Sequence, residues 1–151
     1  MSEKYLSGDE DSGRPLIHRA VGRGDIETVK QLLEADPSLV NVRNELTNQP
    51  LHEACWAKQA AIVELLINNG ADVNARGDFA ETPLHYAVWD GGEEAARIVS
   101  ILLRHGADIE AVDERLWQNA LGFALRESKD ELEPRLGCFA NGGLPWDLKE
   151  R

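Results

Sequence analysis

The sequence predicts an all-α solenoid of about four helix-turn-helix repeats, three clear and the fourth degenerate, with a C-terminal capping segment. Three observations carry this. A six-residue pattern ending His-x-Ala occurs at Pro15–Ala20, Gln49–Ala54 and Thr82–Ala87, with its alanines 34 and then 33 residues apart. Each copy is followed by a second apolar segment: Val29–Leu33, Val63–Ile67 and Val99–Leu103. Two of these segments run into the same exit, Gly70-Ala71-Asp72 and Gly106-Ala107-Asp108. A fixed period near 33 means one supersecondary unit per repeat, and no such unit can bury its apolar face without a stacked neighbour.

Taken in order, residues 1–11 are polar and acidic and read as a mobile tail, and 12–151 form the repeat domain. The repeats run over about 12–44, 45–77, 78–113 and 114–143, and residues 144–151 form the cap. Each repeat opens on a short helix. Proline suits the first helical position, where its missing N–H would be unpaired anyway, and the Thr82 hydroxyl is placed to cap the helix that begins at Pro83. The second, longer helix ends at Gly70 and Gly106, where a left-handed residue is expected. The first repeat instead exits through Asp36-Pro37-Ser38.

In the third repeat 11 residues separate Ala87 from Val99, against eight between Ala54 and Val63. The extra three fall within Trp89–Glu94 and read as a tolerated surface insertion, since lengthening a loop costs little. The fourth unit keeps Leu121 and Ala124 but lacks the proline and histidine, as a terminal repeat facing water should. Its second helix is placed at 129–136, and Trp146 in Leu144–Leu148 is expected to lie over it as a lid. The predicted core is Leu16, Ile17, Ala20, Val29, Leu32, Leu33, Leu51, Ala54, Val63, Leu66, Leu84, Ala87, Val99, Leu102 and Leu103. The opening Met1 and closing Trp146 segment are those expected of a full-length chain.

The hexamers, the paired leucines and Gly-Ala-Asp together resemble the ankyrin repeat, whose signature is Thr-Pro-Leu-His-x-Ala, over about residues 12 to 127. The resemblance implies that His18, His52 and His85 hydrogen-bond the backbone of the connecting loops. It also implies a binding surface on the concave side, built from loop tips and the outer face of the short helices. Trp56 and Trp89 fall at equivalent outward positions there, with Phe79 and Leu46 near loop tips and Trp117 by the next loop. Arg14, Arg23, Glu45, Asn48, Asp78, Glu81, Asp90, Arg115 and Arg126 would form a polar surround. An apolar centre with a polar rim suits protein recognition; the alternative is that the tryptophans only cover neighbouring helices.

No chemistry of another kind stands out. Neighbouring repeat histidines would lie roughly one interhelical spacing apart, about 8–10 Å, too far to share a metal with bonds near ~2 Å. His105, near the end of a second helix, suits the helix dipole there. No phosphate loop, nucleophile elbow or His-Glu-x-x-His pair is present, so neither an enzyme nor a cofactor is expected. The 27 acidic against 16 basic residues leave −11, which repels nucleic acid and anionic membranes. It would draw in a basic protein or peptide partner; the alternative is that it only keeps the protein soluble. Cys55 and Cys138 lack metal or redox spacing and read as small buried hydrophobes in a reducing, cytoplasmic setting, with a disulfide between them the alternative. The function expected is protein or peptide binding; the alternative is an acidic inhibitor or immunity-type protein that neutralises a basic toxin or enzyme. A monomer is expected, with a homodimer through the aromatic patch as the other option.

Overall fold

The computed structural model describes residues 14–89, 91–114 and 119–120. Among these lie six α-helices and no strand. They pair as α1 (Leu16–Arg23) with α2 (Ile26–Ala35), α3 (Pro50–Trp56) with α4 (Ala60–Asn68), and α5 (Pro83–Val88) with α6 (Glu93–Arg104). The short helices stack as α1–α3–α5 and the long ones as α2–α4–α6, which is the arrangement of an ankyrin solenoid. The tail, the cap and all of the fourth repeat except Glu114, Asn119 and the buried Ala120 lie outside the described residues, as do Cys138 and Trp146.

Burial follows the repeat. Ile17, Leu51 and Leu84 occupy one position in three successive short helices, and all are buried. Val29, Val63 and Val99 do the same in the long helices. Two expected core residues differ: Leu16 and Leu103 are half-buried, packed against the core from its margins. Leu39 and Val40 of the 3-10 turn Pro37–Asn41 join the core instead, closing the first repeat where the others use Gly-Ala-Asp.

The expected exits are present. Gly70 (φ 91°) and Gly106 (φ 87°) are left-handed. In each case the residue after the glycine donates five residues back, Ala71 N to Leu66 O and Ala107 N to Leu102 O, both at 3.0 Å. This pattern satisfies carbonyls that the helix end would leave open. Side chains then tie one repeat to the next. Asn41 donates to Gly70 O and accepts from Asp72 N, and Asn74 does the same with Gly106 O and Asp108 N. Arg43 donates to Arg76 O, and Arg76 in turn to Val112 O.

One detail of the helix starts departs from expectation and one agrees with it. Pro15 is the N-cap of α1, not its first residue, whereas Pro50 and Pro83 do stand inside the first turn. At the N-cap Thr82, the described bond runs from the backbone N–H of Thr82 to His85 Nδ1 at 3.1 Å, and Thr82 Oγ1 lies 2.9 Å from the same nitrogen. The capping is reciprocal, because the Thr82 side chain also accepts from the backbone N–H of His85, as the sequence predicts.

The repeat histidines are struts. His52 Nδ1 accepts from Gln49 N–H, and its Nε2 donates to Ala75 O at 3.0 Å and Glu81 O at 3.2 Å. That bonding fixes the neutral Nε2–H tautomer. Burial accordingly lowers the His52 pKa to about 4, against the weaker opposing pull of those carbonyls. His18 Nε2 reaches Val42 O at 3.0 Å. Pro15 has no N–H to offer at the equivalent cap, and His18 Nδ1 is left with no hydrogen-bond partner.

A candidate protein-binding groove on the concave face

The short helices expose their outer face, and three consecutive features of the sequence converge there. Trp56 is the last residue of α3 and is 52% exposed. Tyr86 lies on α5 and packs edge-on to Trp56, with ring centroids 6.2 Å apart. Trp89 follows α5 in extended conformation and lies 5.9 Å from Trp56 at a 45° tilt. These rings line a groove of about 380 Å³ together with Arg14, Asn44, Leu46, Asn48, Glu53, Glu81 and His85.

Trp89 is therefore not the structural equivalent of Trp56, as the spacing suggested. The insertion begins at this residue, so the chain leaves the helix instead of continuing its last turn, and Trp89 ends half-buried against its neighbour. The helix end is completed from the preceding repeat. Lys58 Nζ donates to the carbonyls of Tyr86 (3.1 Å), Ala87 (2.8 Å) and Trp89 (2.7 Å). Three donors on one ammonium meet three open carbonyls at the negative end of α5. Lys58 itself is left-handed (φ 57°), in the place where the first repeat has Gly24.

Asn48 and Glu81 were expected in the exposed polar surround; both are buried instead. The Asn48 amide donates to Tyr86 Oη at 3.0 Å, and its Oδ1 accepts from Asp78 N–H at 2.9 Å, so it braces one loop against the next. That bracing needs Gly77, because a Cβ there would collide with Asn48 Oδ1 and come within 3.0 Å of His52 Nε2. Burial is the main force that pushes the Tyr86 hydroxyl up to about 12; the Asn48 hydrogen bond opposes it, and the carboxylates of Glu81 and Asp78 add to it.

The remaining expected residues divide clearly. Leu46, 52% exposed, joins the groove wall, and so does Arg14, whose Nη1 lies 3.2 Å from Glu53 Oε1. Phe79 is exposed at its loop tip but does not line this groove; its backbone is left-handed and its carbonyl accepts from Glu114 N–H. Asp78 and the exposed Arg23 and Glu45 also stand outside the groove lining. Asp90, Arg115, Trp117 and Arg126 lie outside the described residues. Sequence reasoning missed Tyr86 and Glu53. A signal existed: both occupy the variable place of the His-x-Ala pattern, one residue before Ala87 and Ala54.

Cys55 is buried as a free thiol, and burial pushes its pKa well above the usual range. Among the described residues no group of three or more His, Cys, Asp or Glu is placed to hold a metal ion. No described helix is long and apolar enough to cross a membrane.

Stacked helix pairs with a concave groove define a repeat scaffold built for contact with other macromolecules, and the comparisons agree. The family model for ankyrin repeats (3 copies) matches residues 17–113, and the chain belongs to that family. It is 35% identical over 117 residues to the nuclear factor NF-kappa-B p105 subunit of Gallus gallus, covering 74% of this chain and 12% of that protein. It is 35% identical over 101 residues to ankyrin repeat and SAM domain-containing protein 6 of Rattus norvegicus, covering 67% and 11%. With ankyrin repeat protein nuc-2 of Neurospora crassa the identity is 33% over 119 residues, covering 79% and 11%. The chain thus spans about a tenth of the length of these relatives. Ankyrin repeats are non-catalytic protein–protein interaction modules.

Proposed function

We propose that this chain is a cytoplasmic, non-catalytic binding module that docks another protein or peptide on the Trp56 groove. The observation that carries this reading is the exposure of Trp56, 52% open at the head of a contiguous aromatic cluster. Large aromatics left open in a concave, polar-edged site are where interface energy concentrates. Trp56 sits on the rim of the stack with its neighbours Tyr86 and Trp89 holding it in place, so a partner would meet a rigid surface. The comparisons lend no support to the alternative of an inhibitor that neutralises a basic toxin or enzyme.

Affinity capture from source-cell extract, with wild type and Trp56→Ala side by side, tests the reading. A partner held by the groove should be lost from the variant, with an affinity loss of about 2 kcal/mol or more, roughly thirtyfold. Because Trp56 is half in water, the thermal transition of the variant should stay close to wild type. Equal capture by the two proteins would remove the groove from the interface and refute the proposal.

A further inference from the structure

We propose that the groove takes the guanidinium of an arginine from a basic segment of the partner, stacked on the Trp56 indole and countered by Glu53 and Glu81. This rests on the reading of the concave face as the binding surface and adds the chemistry of what it recognises.

Three observations point the same way. Indole is the strongest aromatic acceptor for a cation on its face, and Trp56 is open to solvent while Tyr86 and Trp89 brace it at 78° and 45°. The groove wall carries two carboxylates, Glu53 and Glu81, and Arg14 is the only lysine or arginine among its described lining residues. Arg14 itself shows what the wall accepts: one guanidinium nitrogen lies 3.2 Å from Glu53 Oε1. The Arg14 side chain of that pair is 46% exposed and the Glu53 side chain 17%, so the arginine is the partner open to exchange. The chain's charge of −11 would further favour encounter with a basic segment.

Arginine fits better than lysine. Its planar, weakly hydrated fork can lie flat on an indole and still present N–H groups edgewise to carboxylates, whereas an ammonium is a compact and strongly hydrated point charge.

The test uses the full chain and three short peptides, acetyl-Gly-Gly-X-Gly-Gly-amide with X as arginine, lysine or citrulline, the last a neutral isostere of arginine. Binding is read from the indole N–H signals in a nitrogen–proton NMR titration, assigned with Trp56→Phe and Trp89→Phe. The arginine peptide should shift Trp56 and Trp89, with the citrulline peptide at least about tenfold weaker, as loss of a charge-assisted hydrogen bond implies, and the lysine peptide severalfold weaker because its ammonium is compact and strongly hydrated. Glu53→Gln and Glu81→Gln should each weaken arginine binding severalfold. Arg14→Gln should strengthen it, because the competing guanidinium is gone; a merely structural Arg14 would not do that. Glu53→Gln keeps the test decisive should the buried Glu81→Gln unfold the protein.

Equal binding of citrulline would reduce the site to aromatic stacking and overturn the proposal, and equal binding of lysine would overturn the guanidinium assignment. Concentration-dependent shifts of the same signals without peptide would give the groove to a second copy of the chain, which also overturns it. If no peptide binds while Trp56→Ala still abolishes capture of a protein, the binding face stands and the arginine proposal alone falls.

Discussion

Replacing Lys58 by methionine should weaken the third repeat although Lys58 belongs to the second. Methionine keeps the length and apolar stem but removes the ammonium that closes α5 through the carbonyls of Tyr86, Ala87 and Trp89. A hydrogen bond to a charged group contributes about 1.5–3 kcal/mol. The three bonds share one ammonium, and the half-buried site lets water reach some of the carbonyls left behind, so the sum would overcount. We expect about 2 kcal/mol. Urea unfolding followed by far-ultraviolet circular dichroism should show a lower midpoint at unchanged slope. Lys58→Gly refines the argument: it relieves a left-handed non-glycine residue, about 1 kcal/mol, so it should lose about 1 kcal/mol net. The same loss should loosen Trp89, whose carbonyl Lys58 holds, and broaden its indole NMR signal. A Lys58→Met protein within about 0.5 kcal/mol of wild type would refute the cap and leave the insertion self-supporting.

Two further perturbations test the struts. His52 takes up a proton near 6.5 when unfolded but only near about 4 when folded, so folding is fully favoured above pH 6.5 and loses stability as pH falls toward 4. At about 1.4 kcal/mol per pH unit that separation amounts to about 3 kcal/mol. The difference in urea stability between wild type and His52→Gln should therefore shrink by that order across the window, and a constant difference would sink the claim. Gly77→Ala should cost about 2 kcal/mol, since Asn48 must withdraw and release Asp78 and Tyr86; a loss below about 0.5 kcal/mol in the same urea assay would contradict the close approach.

The relation between repeats was readable because it is written twice, in local pattern and in neighbour spacing. The His-x-Ala hexamers and Gly-Ala-Asp exits specify helix starts and stops from a few adjacent residues, and Gly70 and Gly106 take up the left-handed geometry the pattern requires. The exposure of Trp56 and Leu46 was also legible, from their distance to the motif. Asn48 and Glu81 misled for a definite reason. Their polarity suggested solvent, but the loops stack so closely that Asn48 is enclosed by Asp78 and Tyr86, and Glu81 is buried beside them.

By itself the sequence determined an all-α array of stacked helix pairs and which face of each helix is buried. Those properties depend on periodicity, and a repeat meets only its neighbours. Tertiary structure alone decided which outward side chains meet. The extended exit at Trp89 turns that indole onto Trp56, Lys58 reaches across a repeat to make the exit possible, and Phe79 stays apart on its own loop tip. Convergence of side chains from three repeats depends on the path of each connecting turn, and no spacing along the chain encodes that path.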